Sequence, residues 1–154
     1  MRSLPAFAVL AWLAMMATIA FLATPVAFGA LGREAAGRFV GALFPRYYAV
    51  GTVLGLVTLA ALVARGLRAG WRPWDWVPVG LAVLMVALTL YSWFVILPAA
   101  HAAREAMWAA GSHFGERSAE AMAFARLHGL SSALNLFVMV AGVLLFLWEA
   151  LRRP

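Results

Sequence analysis

Between Trp76 and Ala100 the chain reads WVPVGLAVLMVALTLYSWFVILPAA, twenty-five residues without a charge. A run of ~20 or more apolar residues can cross the hydrocarbon of a bilayer as a helix. Three other runs come close to that length or exceed it: 4–32, 47–64 and about 130–151. Inside a bilayer every backbone N–H and C=O must be satisfied within the segment or by closing a barrel. No strand-like alternation competes here, so the expected fold is all-α, a four-transmembrane-helix bundle in a single integral membrane domain spanning 1–154. The chain is 66% hydrophobic and 12% charged, against roughly half and a quarter for a soluble domain. The lipid bilayer is therefore the first expected partner.

The first run is longer than the ~7–15 residues of a signal-peptide core, so it is expected to stay as a span, kinked at Pro25. The net charge of +6 comes from twelve arginines, and lysine is absent. The arginines are scattered among the apolar runs rather than gathered in a stripe, which argues against a nucleic-acid partner. Six arginines fall on the side of the termini (Arg2, Arg65, Arg68, Arg72, Arg152, Arg153) and six on the other (Arg33, Arg38, Arg46, Arg104, Arg117, Arg126). The compact loop RGLRAGWRPWDW favours cytoplasmic termini. With the Ala- and Gly-rich composition, that makes a bacterial inner membrane the expected location. Trp71, Trp74 and Trp76 on one side, and Tyr47 and Tyr48 on the other, suit aromatic belts. Cysteine is absent, which excludes disulfides and thiolate ligands.

The connection 101–129 is expected to be helical, with spans three and four extended beyond the membrane as a hairpin that breaks near GSHFG. His101, Arg104, Glu105 and Trp108 share one helical stripe. His101 and His128 are nearly equidistant from the hairpin tip and should lie level. From His128 the stripe descends through Ser131, Ser132 and Asn135. These polar groups suit either interhelical hydrogen bonding or the lining of a polar cavity open to the outer face. Arg46, placed at the start of span two behind Pro45, joins the cavity candidates because it opposes the helix dipole there. Gly51 and Gly55 form a small-xxx-small pair suited to helix packing, within the bundle or in a homo-oligomer.

Three segments are distinctive together: LFPRYY, LPAAHAAREAMW and FARLHGLSSALNL. In this order they resemble the transmembrane protein 205 family, whose bacterial members are catalogued as a domain of unknown function. The residues that carry the resemblance are Leu43, Phe44, Pro45, Tyr47 and Tyr48; Pro98, Met107 and Trp108; and His128, Gly129, Ser131, Ser132 and Asn135. It implies a four-helix membrane protein and brings no agreed activity. A looser, architectural likeness links the chain to copper-resistance-type membrane proteins and membrane protoporphyrinogen oxidases.

No phosphate loop, zinc-protease motif or nucleophile elbow is present, and no catalytic residue is assigned. Three readings stay open. One is a small transporter or export accessory with an outward-facing polar cavity. Another is a metal- or haem-binding protein, with copper or haem held by His101 and His128 beside Glu105 and Arg104. The third is an assembly or scaffold factor.

Overall fold

A computed structural model describes residues 4–151. Arg2, Arg152 and Arg153, which enter the charge expectation above, lie outside the described residues. Four helices are long and apolar enough to cross a membrane: α1 (Leu4–Ala30), α2 (Arg33–Ala69), α3 (Pro73–Ala109) and α4 (Ala119–Leu151). The chain is thus a multi-pass helical bundle by architecture. Each helix packs on its sequence neighbour, and α4 closes the ring on α1.

One end of the bundle, the half next to the termini, is densely filled. Trp12, Leu62, Met85 and Leu145 are almost wholly buried there, one from each helix. Glycine makes the fit possible. The backbone of Gly55 touches the Trp12 ring and Val86, and Gly51 touches the Trp12 indole nitrogen. The Gly51/Gly55 surface is therefore used inside the bundle, against α1 and, at Gly55, also α3. At the same end Trp71 lies against Gly66 and stacks on Trp76 with ring centroids 4.4 Å apart. Trp74 and Trp76 are exposed, as an aromatic belt requires.

Arg65 and Glu149 form a bidentate ion pair between α2 and α4. The Glu149 side chain is only 2% exposed. The second pairing of the same two helices is Tyr47 with Asn135. Both links cross the bundle diagonally.

Helix α2 differs from the sequence expectation. It begins at Arg33, not at Pro45, which it carries as an interior residue. The stretch REAAGRFVGALF is helical because it buries Ala36 and Val40 against Ala27 of α1. Glu34 in its first turn complements the helix dipole and takes a hydrogen bond from Arg38. Tyr47 and Tyr48, expected in an aromatic belt, are instead buried.

Two of the other three helices, α1 and α3, are each interrupted by a wide π turn. They lie at Thr18–Ala23 in α1 and Ser92–Ile96 in α3. Each comes just before a proline, Pro25 or Pro98. A proline ring clashes with the carbonyl four residues back, here Phe21 and Phe94, and both fall inside the wide turns. The extra residue of a π turn absorbs that clash.

The α3–α4 hairpin is helical on both arms, with a break broader than GSHFG. Helix α3 ends at Ala109 in a Schellman cap: Ser112 N–H donates to Met107 O and Gly111 N–H to Trp108 O. Gly111 (φ 66°) and Gly115 (φ 95°) take the left-handed turns. Helix α4 restarts only at Ala119 because Ser118 Oγ accepts the Ala121 N–H as an N-cap. At 1.5 Å per residue α2 and α4 are about 55 and 50 Å long, well beyond the ~30 Å hydrocarbon layer. Their ends, with that of α3, project past it.

Candidate functional site

Beyond the two π turns the bundle loosens. A cavity of about 380 Å³ opens between the outer halves of all four helices. Its walls are mostly apolar: Met16 and Ile19 from α1, Val40 and Phe44 from α2, Leu97 from α3, Met139 from α4. Polar groups are few and sit at two levels.

The deeper level is built on Asn135. Tyr47 Oη donates to Asn135 Oδ1 at 2.7 Å. Asn135 Nδ2 donates to the Ser131 carbonyl at 3.0 Å and approaches Tyr48 Oη at 3.5 Å. Phe44, Tyr47 and Tyr48 pack ring against ring, with centroids 5.0–6.0 Å apart. This cluster fixes the amide by three neighbours, and both tyrosines line the cavity.

The outer level is built on Arg104 and His101. Arg104 reaches from α3 across to α2, where its Nη1 donates to the Gly37 carbonyl at 2.9 Å. The guanidinium occupies the space a side chain at Gly41 would fill. Its Nη2 donates to Glu105 at 3.2 Å, and its face covers the Trp108 ring at 4.9 Å. Trp108 in turn fits against Gly37. The Gly37/Gly41 pair is what lets an arginine lie between two helices here. The Arg104 side chain is 13% exposed. Its Nε, and Nε2 of His101, are buried without a hydrogen-bond partner.

The residues named from sequence divide as follows. His101, Arg104, His128, Ser131, Ser132 and Asn135 all line this one cavity. His128 is exposed, and its ring packs against Phe114 and Phe124, which also touch each other. Ser132 bonds back to the His128 carbonyl at 2.9 Å. Glu105 is exposed and lies outside the lining, touching it only through Arg104. Arg46 also stands outside: it is exposed and donates to the Ala42 carbonyl in its own helix. The helix does not begin at Pro45, so Arg46 meets no free helix N-terminus. Among the described residues no three His, Cys, Asp or Glu side chains converge to hold a metal ion. Sequence reading missed Tyr47 and Tyr48 as part of the cavity, and Gly37 and Gly41 as the seat of Arg104. The four-residue spacing of the two glycines was the available signal.

Residues 7–109 match the family described as Domain of unknown function (DUF4149), and the chain belongs to that family. The match covers nearly all of α1 and the whole of α2 and α3, and it stops short of α4. No curated protein and no solved structure matches the chain. The comparisons give no support to the likeness to the transmembrane protein 205 family or to copper-resistance-type proteins.

Proposed function

We propose that this protein binds a small amphiphilic molecule in the outer cavity, as the binding step of a small transporter or export accessory. The observation that carries this reading is the cavity itself. It is large enough for a small ligand, apolar on most of its wall, and supplied with a few oriented polar groups at two depths. Among the described residues the bundle end nearer the termini is densely filled, which favours access from the other end. The π turns stand where the filled half meets the hollow half, and π turns are frequent at functional sites. A change of helix angle there would widen or narrow the cavity.

We place the protein in a bacterial inner membrane with cytoplasmic termini and the cavity facing outward. A reporter fusion after the last residue checks the orientation: alkaline phosphatase is expected to be inactive there, and periplasmic activity would reverse it.

The binding claim is checked by filling the cavity. Ala20 lines the cavity and has room at its rim, so Ala20→Trp inserts an indole without removing a polar group. Native mass spectrometry of protein extracted in mild detergent is expected to show a retained small molecule on the wild type. On Ala20→Trp it should fall at least tenfold. Equal retention, or none on either, would end this reading. Haem is a second occupant to consider because His101 and His128 line the same space. A visible absorbance band from iron-bound porphyrin, lost in His128→Ala, would favour it.

A further inference from the structure

We propose that the cavity takes a lipid-borne amphiphile with an acidic headgroup, which seats on Arg104 and His101 while its apolar chain leaves sideways between α1 and α4. This rests on the binding reading above and specifies its ligand.

Three observations converge on it. The first is charge. Of the described residues that line the cavity, Arg104 alone carries a full charge, and no Asp or Glu is among them. A cationic headgroup would meet Arg104 with no carboxylate on the cavity wall to offset it, since Glu105 pairs with the arginine from outside the lining, whereas a carboxylate or phosphate would complete the arginine's hydrogen bonding. A guanidinium has five N–H donors in a fixed fork. Here one donor reaches Gly37, one reaches Glu105, and Nε has no partner. His101, one turn away on α3, adds a second unpartnered nitrogen at the same wall.

The second is the shape of the opening. Up to Ala17, α1 packs along α4; beyond its π turn α1 stays with α2 and has no packing seam with α4. Ala20, Thr24 and Phe28 of α1 and His128, Ser132 and Leu136 of α4 all line the cavity. Phe28 and Leu136 are 47% and 57% exposed. In a bilayer such side chains face acyl chains, so the mouth opens toward lipid as well as toward water.

The third is depth. Trp76 marks the interface at the end near the termini. Arg104 lies 28 residues further along α3, about 42 Å at helical rise. That matches the ~40–45 Å span of a bilayer with its headgroups. Arg104 therefore stands at headgroup level, with the Tyr48–Asn135 cluster deeper in the hydrocarbon.

The test compares ligands that share an oleoyl chain. Purified full-length protein in detergent is titrated with oleoyl lysophosphatidic acid, oleate, monoolein and, separately, inorganic phosphate, with binding followed by intrinsic tryptophan fluorescence and native mass spectrometry. The two acidic lipids are expected to bind the wild type at least tenfold tighter than monoolein, and phosphate alone at least a hundredfold weaker than lysophosphatidic acid. Arg104→Gln should erase the acidic preference, and Arg104→Lys should keep part of it. Gly41→Ala retains the arginine but displaces its guanidinium, and should also weaken the preference. Arg38→Gln, which also removes a guanidinium from over the Trp108 ring but lies outside the cavity lining, should leave it intact. Thermal midpoints of all variants separate misfolding from loss of the headgroup contact. Monoolein binding as tightly as the acidic lipids would overturn the headgroup assignment while leaving a binding cavity. Phosphate binding as tightly as lysophosphatidic acid would overturn the lipid origin. No binding of any oleoyl ligand that Ala20→Trp weakens would remove the cavity reading itself.

Discussion

Replacing Arg65 by methionine is expected to destabilise the bundle by about 3 kcal/mol, the usual cost of stranding one partner of a buried ion pair. The reason lies in Glu149. Its side chain is 2% exposed, against 26% for Arg65, so the carboxylate has no route to water once the guanidinium is gone. Removing the acid is expected to cost less, because Arg65 can reach solvent. The double variant Arg65→Met, Glu149→Leu should recover most of the loss, since an apolar pair of similar volume is often as stable as a buried ion pair. Denaturant titration in micelles measures all four members of the cycle. If Arg65→Met and the double variant are equally destabilised, the ion pair is not what holds α2 to α4.

Gly55→Leu is expected to cost at least the upper end of the ~1–3 kcal/mol typical of overpacking. A side chain there would overlap both the Trp12 ring and Val86, each on a different neighbouring helix. Neither neighbour can yield without opening the filled half of the bundle. Gly80→Leu is the matched control, because nothing lies within 4 Å of a side chain at that position. Its stability should change little or improve slightly through helix propensity. The comparison also decides what the Gly51/Gly55 pair is for. Packing within one chain lowers the thermal midpoint of Gly55→Leu at every protein concentration. An oligomer contact would instead change the protein's size in detergent and spare the protomer's stability.

The four spans were legible because hydrocarbon permits so few backbone solutions, and because the charge-free runs are long. The hairpin arms were legible for a different reason: Ala-rich sequence at helical spacing leaves no alternative element. What the sequence hid was packing. Pro45 reads as a helix start, and only contact with α1 shows that Ala36 and Val40 continue the helix past it. Hydropathy cannot separate a tyrosine at the interface from one in the interior, so Tyr47 and Tyr48 were assigned to a belt. Arg65 and Glu149 are 84 positions apart, and nothing local in either segment points to the other. The π turns have no composition of their own, and only Pro25 and Pro98 hint at them.

For the cavity, the polar stripe on α4 was readable from spacing alone, because His128, Ser132 and Asn135 recur at one helical face. The opposing wall was not. Arg104 was read as a neighbour of His101, yet its position depends on two glycines of α2 that admit its guanidinium. Arg46 drew attention through a dipole argument that holds only where a helix begins.

The central claim is a binding cavity that opens to lipid between α1 and α4, and photolabelling tests it most directly. Membranes containing the protein are loaded with an oleoyl lysophosphatidic acid analogue that carries a diazirine midway along its chain, then irradiated, and the labelled peptides are mapped. The account predicts labels concentrated on 18–30 of α1 and 124–139 of α4, and strongly reduced in Ala20→Trp. Labels spread evenly around the exposed faces of all four helices, unchanged by Ala20→Trp, would contradict it.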